Sequence, residues 1–219
     1  MNFDWSIIWR NADALIEGTG LTILLAVITM AISIPGGMLL ALMRLSGIRP
    51  LAAASAAFTE LFRNLPLILV VYTAYYILPV ATDLSLSPVV TGIVALSLNV
   101  SAYNSETFRA GIASIRKGQS EAAYALGMTR WQTTRDIILP QAVRRVLPVL
   151  ASTWVSLFKD TSLVSVISVG ELAYNAMRLR AQTFRVLEML TAMAAIYWVL
   201  GYPQAKLVDW INRRYAVKE

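Results

Sequence analysis

The sequence contains no cysteine and no histidine. Without cysteine there is no disulfide framework, no thiol nucleophile and no thiolate metal site. Without histidine there is no histidine-based triad and no HExxH zinc motif, and so no metal site is expected. No GxxxxGK[ST] stretch occurs, and the ordinary phosphate-binding loop for ATP is therefore missing. Charge is scarce too: 15% of the 219 residues are charged, against about 25% in a typical soluble domain, while 57% are hydrophobic. Together these deficits point away from an enzyme and towards a single integral membrane domain over 1–219. The opening "MNFDWSIIWRNADALIEG" carries Asp4, Asp13 and Glu17 and lacks a basic n-region, so it does not read as a cleaved signal peptide. Trp5, Ile7, Ile8 and Trp9 instead suggest an interfacial segment within an external stretch 1–18.

What the chain does have is long apolar runs. A helix crossing about 30 Å of hydrocarbon needs roughly 20 apolar residues. Five stretches qualify, at about 19–43, 57–80, 88–110, 146–168 and 186–207, predicting an all-α polytopic membrane protein. Pro35-Gly36-Gly37, Pro66 and Pro203 fall inside these spans and predict kinks or breaks. Arg44, Arg49, Arg116, Lys117, Arg130, Arg135, Arg144, Arg145, Lys206, Arg213, Arg214 and Lys218 lie on one side. The other side has Arg10, Arg178, Arg180 and Arg185. The positive-inside rule then puts the C-terminus in the cytoplasm and the N-terminus outside. The net charge of +6 is thus a topology signal, and no nucleic-acid partner is expected. The three external arginines near 180 form a solvated face or a dock for an acidic external partner.

The longest soluble segment, about 112–145, predicts a cytoplasmic hairpin of two short helices. Ser120 can cap the first, with Glu121 in its first turn and Gly127 at its left-handed end. Thr129-Arg130-Trp131-Gln132 fits a capping box opening the second, and Pro140 limits its length. A plain connector or a tethered DNA-reading hairpin would satisfy the same local signals.

These residues resemble a family. Glu121-Ala122-Ala123, three residues, Gly127, nine residues, then Ile137-x-Leu139-Pro140 is similar to the EAA loop of ATP-binding-cassette (ABC) transporter permeases. "AYNSETFRAGIASIRKGQSEAA" (102–123), "KDTSLVSVI" (159–167) and "EGTGLTI" (17–23, with Gly18 and Thr22) resemble the polar amino acid permeases. "FDWS" and "ILPQA" look most like the glutamate/aspartate branch; basic or amide amino acid permeases are the alternative within the family. The resemblance implies a multi-pass subunit of the cell inner membrane that imports amino acids by alternating access. It assigns ATPase coupling to Glu121, Ala122, Ala123, Gly127, Ile137, Leu139 and Pro140. It also implies a partner ATPase that binds ATP and Mg, an extracytoplasmic binding protein, and a second permease subunit, with a heterodimer favoured.

Lys159 and Asp160 stand side by side within the fourth apolar run, where a charge costs roughly 2.5–3.5 kcal/mol on insertion scales. On a helical wheel Ser152, Thr153, Ser156, Lys159 and Asp160 share an arc of about 120°, opposite Trp154, Leu157 and Phe158. Asn99, Tyr103, Glu106 and Ala110 share one face of the third run. Asn99, Tyr103, Glu106, Ser156, Lys159 and Asp160 are therefore expected along the substrate pathway. In that reading Asp160 meets the α-ammonium of an amino acid, and Lys159 or Arg109 meets a carboxylate. The structural alternatives are an internal Glu106–Arg109 pair, a bridge from Lys159 to an acid on another helix, and a local Glu60–Arg63 pair. An ion channel would also use polar stripes, and an intramembrane aspartyl enzyme could use Asp160 and Glu106.

Overall fold

The computed structural model describes residues 3–215, so Met1, Asn2 and Lys218, part of the topology reading, lie outside the described residues. Among the described residues the regular structure is all helical, in the order α1 (Ser6–Arg10), α2 (Ala12–Leu45), α3 (Arg49–Asn64), α4 (Leu67–Tyr72), a π segment (Thr73–Ile77) and α5 (Leu78–Thr82). There follow α6 (Pro88–Ala113), α7 (Lys117–Ala125), α8 (Arg130–Gln132), a second π segment (Thr133–Ile138) and α9 (Leu139–Asp160). A 3₁₀ stretch (Thr161–Ile167), α10 (Leu172–Thr183) and α11 (Val186–Tyr215) complete it. Helices stand on all five apolar runs. By length and apolarity alone α2 and α11 qualify as spans, and the bent pair 49–82 makes a third if it crosses as one. α6 and α9, of 26 and 22 residues, fall short of that test because each carries a polar face.

Several boundaries differ from expectation. The first span starts earlier, and α2 runs unbroken through Pro35, as α11 does through Pro203. Pro66, in contrast, ends α3 outright. Leu65 before it is extended (φ −88°, ψ 135°), as the proline ring demands of its predecessor, and the chain turns by 107° into the next helix. The second apolar run is therefore a broken helix. The fourth begins at Leu139, ends its α-helix at Asp160 and continues as a 3₁₀ stretch.

α2 packs along α6 through small residues. A Cβ on Gly37 would stand 2.6 Å from Asn104 Cβ, and one on Gly36 would stand 2.7 Å from Ser101 Oγ. Such close approach is how helices associate where hydrocarbon surrounds them and apolar surface alone offers little preference. The main core (Leu25, Met30, Leu96, Val100, Leu157, Phe158 and Val164 among others) sits where α2, α4, α6, α9 and the 3₁₀ stretch meet. A second cluster joins α2, α10 and α11 through Leu15, Leu172, Leu179 and Met189.

Candidate functional site

The break at Pro66 shapes a cavity. Proline has no amide hydrogen, so the Phe62 carbonyl lacks its i+4 helical donor, and the end of α3 leaves the Arg63 carbonyl open as well. α6 supplies both caps from one face: Asn99 Nδ2 donates to the Phe62 carbonyl (2.8 Å) and the Tyr103 hydroxyl to the Arg63 carbonyl (3.4 Å). The Arg63 guanidinium lies over the Tyr103 ring, 5.5 Å from its centroid. Facing this capped end, α9 presents Ser152, Thr153, Ser156 and Asp160. The space between them, open on one side, is about 530 Å³, within the usual range for a small-molecule site.

Of the six residues expected on the pathway, the cavity brings together Asn99, Tyr103, Ser156 and Asp160. Glu106 and Lys159 do not line it. Glu106 lies about 10 Å along α6 from Asn99 and is engaged by Arg109, whose Nε donates to its Oε1 at 2.9 Å. Arg109 is thereby committed to this internal pair and does not line the cavity. Lys159 points about 90° away from the centre of the cavity face of α9. It enters a separate groove with Phe158, Tyr197, Trp198 and Tyr202. The cation that does face Asp160's cavity is Arg63. In place of the local Glu60–Arg63 pair that the sequence spacing allows, Arg63 stacks on Tyr103. A signal for it existed, since a charge three residues before a proline break in an apolar run stands at a freed helix end.

Lys159 and Asp160 occupy the last turn of α9, where the helix passes into the 3₁₀ stretch. Lysine suits a helix C-terminus and aspartate does not, so the dipole offers no reason for Asp160 there. Helices interrupted in this way bring unpaired backbone and charged side chains to ligand pathways in many transporters.

The hairpin after α6 holds the second candidate site. Gly127 is left-handed (φ +80°), with Met128 N donating to Ala123 O and Gly127 N to Tyr124 O, a Schellman ending for α7. Thr129 and Gln132 form the expected capping box, 2.8 Å and 3.3 Å in its two directions. Two expectations fail. Ser120 is not the cap: α7 starts at Lys117, and the Ser120 hydroxyl donates back to the Lys117 carbonyl. Pro140 does not stop the second helix either. It occupies the first turn of α9, where a proline needs no helical donor, and the preceding π segment absorbs the register change. Residues 130–160 are thus one helical path. Glu121 and Ala122 are exposed on α7, while Ala123 is buried and Ile137 half-buried against the hairpin. Leu139 and Pro140 are exposed on the second arm. At the tip, Leu126 is 82% and Trp131 70% exposed, beside exposed Tyr124. The base is tied by Gln141 Nε2 to Gln119 Oε1 (3.2 Å) and by Arg145 to the Ser114 carbonyl (2.6 Å).

Known proteins resemble this chain over nearly its whole length. The family model described as "binding-protein-dependent transport system inner membrane component" matches residues 33–217. The chain is similar to the glutamate/aspartate import permease protein GltK of Escherichia coli O6:H1, with 39% identity over 98% of this chain and 99% of the relative. It is 36% identical to the glutamine transport system permease protein GlnP of Escherichia coli K12, over 99% and 100% of the two chains. A solved structure described as an amino acid ABC transporter with histidines superimposes with a TM-score of 0.91 at 32% identity, covering 98% and 100%.

Proposed function

The chain belongs to the family of binding-protein-dependent transport system inner membrane components, and on that premise we propose that it carries glutamate or aspartate through the cavity between Arg63 and Asp160. It is the permease of an ABC importer for polar amino acids. The observation that carries the cargo reading is the pairing of one cation and one carboxylate across a cavity of about 530 Å³. Every amino acid presents an ammonium and a carboxylate, and Asp160 and Arg63 complement them. Ser152, Thr153 and Ser156 add hydroxyls for a polar side chain. The glutamate/aspartate preference is supported by the 39% identical relative; glutamine, named for the 36% identical one, is the nearest competitor.

Energy is supplied by a separate ATPase, which binds ATP and Mg and docks on the hairpin. The exposed Leu126 and Trp131 and the free carboxylate face at Glu121 suit a groove on such a partner. An extracytoplasmic binding protein delivers cargo, the N-terminal helix faces outside, and a second permease subunit completes the pathway.

The test uses the assembled transporter in vesicles, with uptake and substrate-stimulated ATP hydrolysis measured per folded complex over a panel of amino acids. Asp160→Asn and Arg63→Gln each remove a charge while keeping the shape. Each should weaken cargo dependence by about 1.5–3 kcal/mol, roughly 10- to 150-fold. Wild-type behaviour in both variants would remove the pair from the pathway.

A further inference from the structure

Glu171 is fully buried (0% exposed) and lines no cavity described above. Its Oε1 accepts from Tyr174 N at 2.7 Å, and its Oε2 from Ala173 N at 2.8 Å. An N-cap needs no more than these two amides of its own helix. Yet the Tyr197 hydroxyl of α11 also donates to Oε2 at 3.1 Å, and the Thr22 hydroxyl of α2 lies 3.4 Å from it, sharing its one hydrogen with the Gly18 carbonyl at 3.0 Å. Thr22 Oγ1 in turn accepts from Leu172 N at 3.2 Å. The Glu171 carboxylate and the Thr22 hydroxyl beside it therefore join three helices.

Two routes lead from this knot to Asp160. Along the chain, the segment between them is the 3₁₀ stretch, pinned by buried Val164 and Ile167, followed by Ser168 in a left-handed conformation (φ +64°). Across space, the Tyr197 ring that donates to Glu171 meets Phe158 edge-on, with centroids 6.0 Å apart. Phe158 is buried two residues before Asp160.

We propose that Glu171 is a positioning residue for Asp160: its carboxylate locks α2, α10 and α11 into a frame that fixes the end of α9 from which Asp160 enters the cavity. The inference rests on Asp160 contacting the cargo. Gln at position 171 keeps the volume but turns an acceptor oxygen into an NH₂ that faces donors, so the frame loosens without a void.

The experiment compares Glu171→Gln, Tyr197→Phe, Asp160→Asn and the Asp160→Asn/Glu171→Gln double variant in the full transporter. It reads the half-saturating amino acid concentration, the maximal rate and the melting temperature of folded complex. Glu171→Gln should raise the half-saturating concentration about tenfold. The maximal rate should change by less than about twofold, the signature of lost binding rather than lost turnover. Tyr197→Phe, which removes one donor and keeps the ring, should shift the same quantity about threefold. The double variant should match Asp160→Asn alone, because residues acting through one another do not add. A lower melting temperature with unchanged half-saturation in Glu171→Gln, or additive shifts in the double variant, would overturn the positioning role. If Glu171→Gln does not fold, Tyr197→Phe decides, and an unshifted value there overturns it equally. An Asp160→Asn variant with wild-type half-saturation defeats the reading of the cavity itself, whereas a shifted Asp160→Asn beside unshifted Glu171→Gln defeats only the role of Glu171.

Discussion

Gly127 holds a backbone angle of φ +80° with open space around the position a Cβ would take. A Cβ there meets no neighbour within 4 Å, so the cost of a branched residue is chiefly conformational, about 1–2 kcal/mol for holding a left-handed backbone without glycine. Gly127→Val should therefore leave the spans inserted and the complex folded while the hairpin tip loses its turn. Co-purification with the ATPase and uptake should both fail, and normal uptake by this variant would show that the hairpin does not dock as proposed. Gly127, Thr129 and Gln132 were legible in the sequence because every partner lies within five residues. Arg63 and Lys159 were not. Which edge of a polar arc faces a cavity depends on what covers the other edge, and α11 covers the Lys159 side with Tyr197, Trp198 and Tyr202.

At the scale of elements, proline acts by context. Pro140 and Pro66 each remove one amide, yet only Pro66 breaks its helix, because Leu65 is extended and two α6 side chains take over the stranded carbonyls. Pro66→Ala restores the missing donor, so the Phe62 carbonyl can bond within its own helix and release Asn99. The bend should open, lengthening the distance between spin labels placed on α3 and α4. Uptake per folded complex should fall at least about tenfold, since the wall carrying Arg63 moves out of register. Unchanged label distances with full uptake would assign the 107° bend to tertiary packing rather than to proline. A break at Pro66 could be read from the sequence, but its angle could not: the residues that stabilise it are 37 and 40 positions away.

At the scale of the whole molecule, the surface divides into parts that suit lipid and a part that does not. Val80 (85% exposed) and Trp198 (67%) suit hydrocarbon. The cavity, by contrast, bears the charges of Arg63 and Asp160, for which lipid is a poor cover. The mass of the detergent-purified active assembly should accordingly correspond to two permease chains with their ATPase subunits; a single permease chain per active particle would contradict this. The all-α architecture and its five apolar runs were plain from hydropathy. The polar seam between α2 and α6 was not, because Ser101, Asn104 and Ser105 look like flaws in a span until Gly36 and Gly37 are seen against them.

The unbroken path over residues 130–160 joins the hairpin to the cavity with no loop between them. At about 1.5 Å per residue its contour length is roughly 45 Å. With the Asp160 end held in the frame proposed around Glu171, the free end is the hairpin: a tilt of about 10° about Asp160 would carry the Thr129 end through roughly 8 Å if the path moves as one piece. A modest change of angle at the cavity end is thus enough, by leverage alone, to become a displacement of several ångströms at the hairpin.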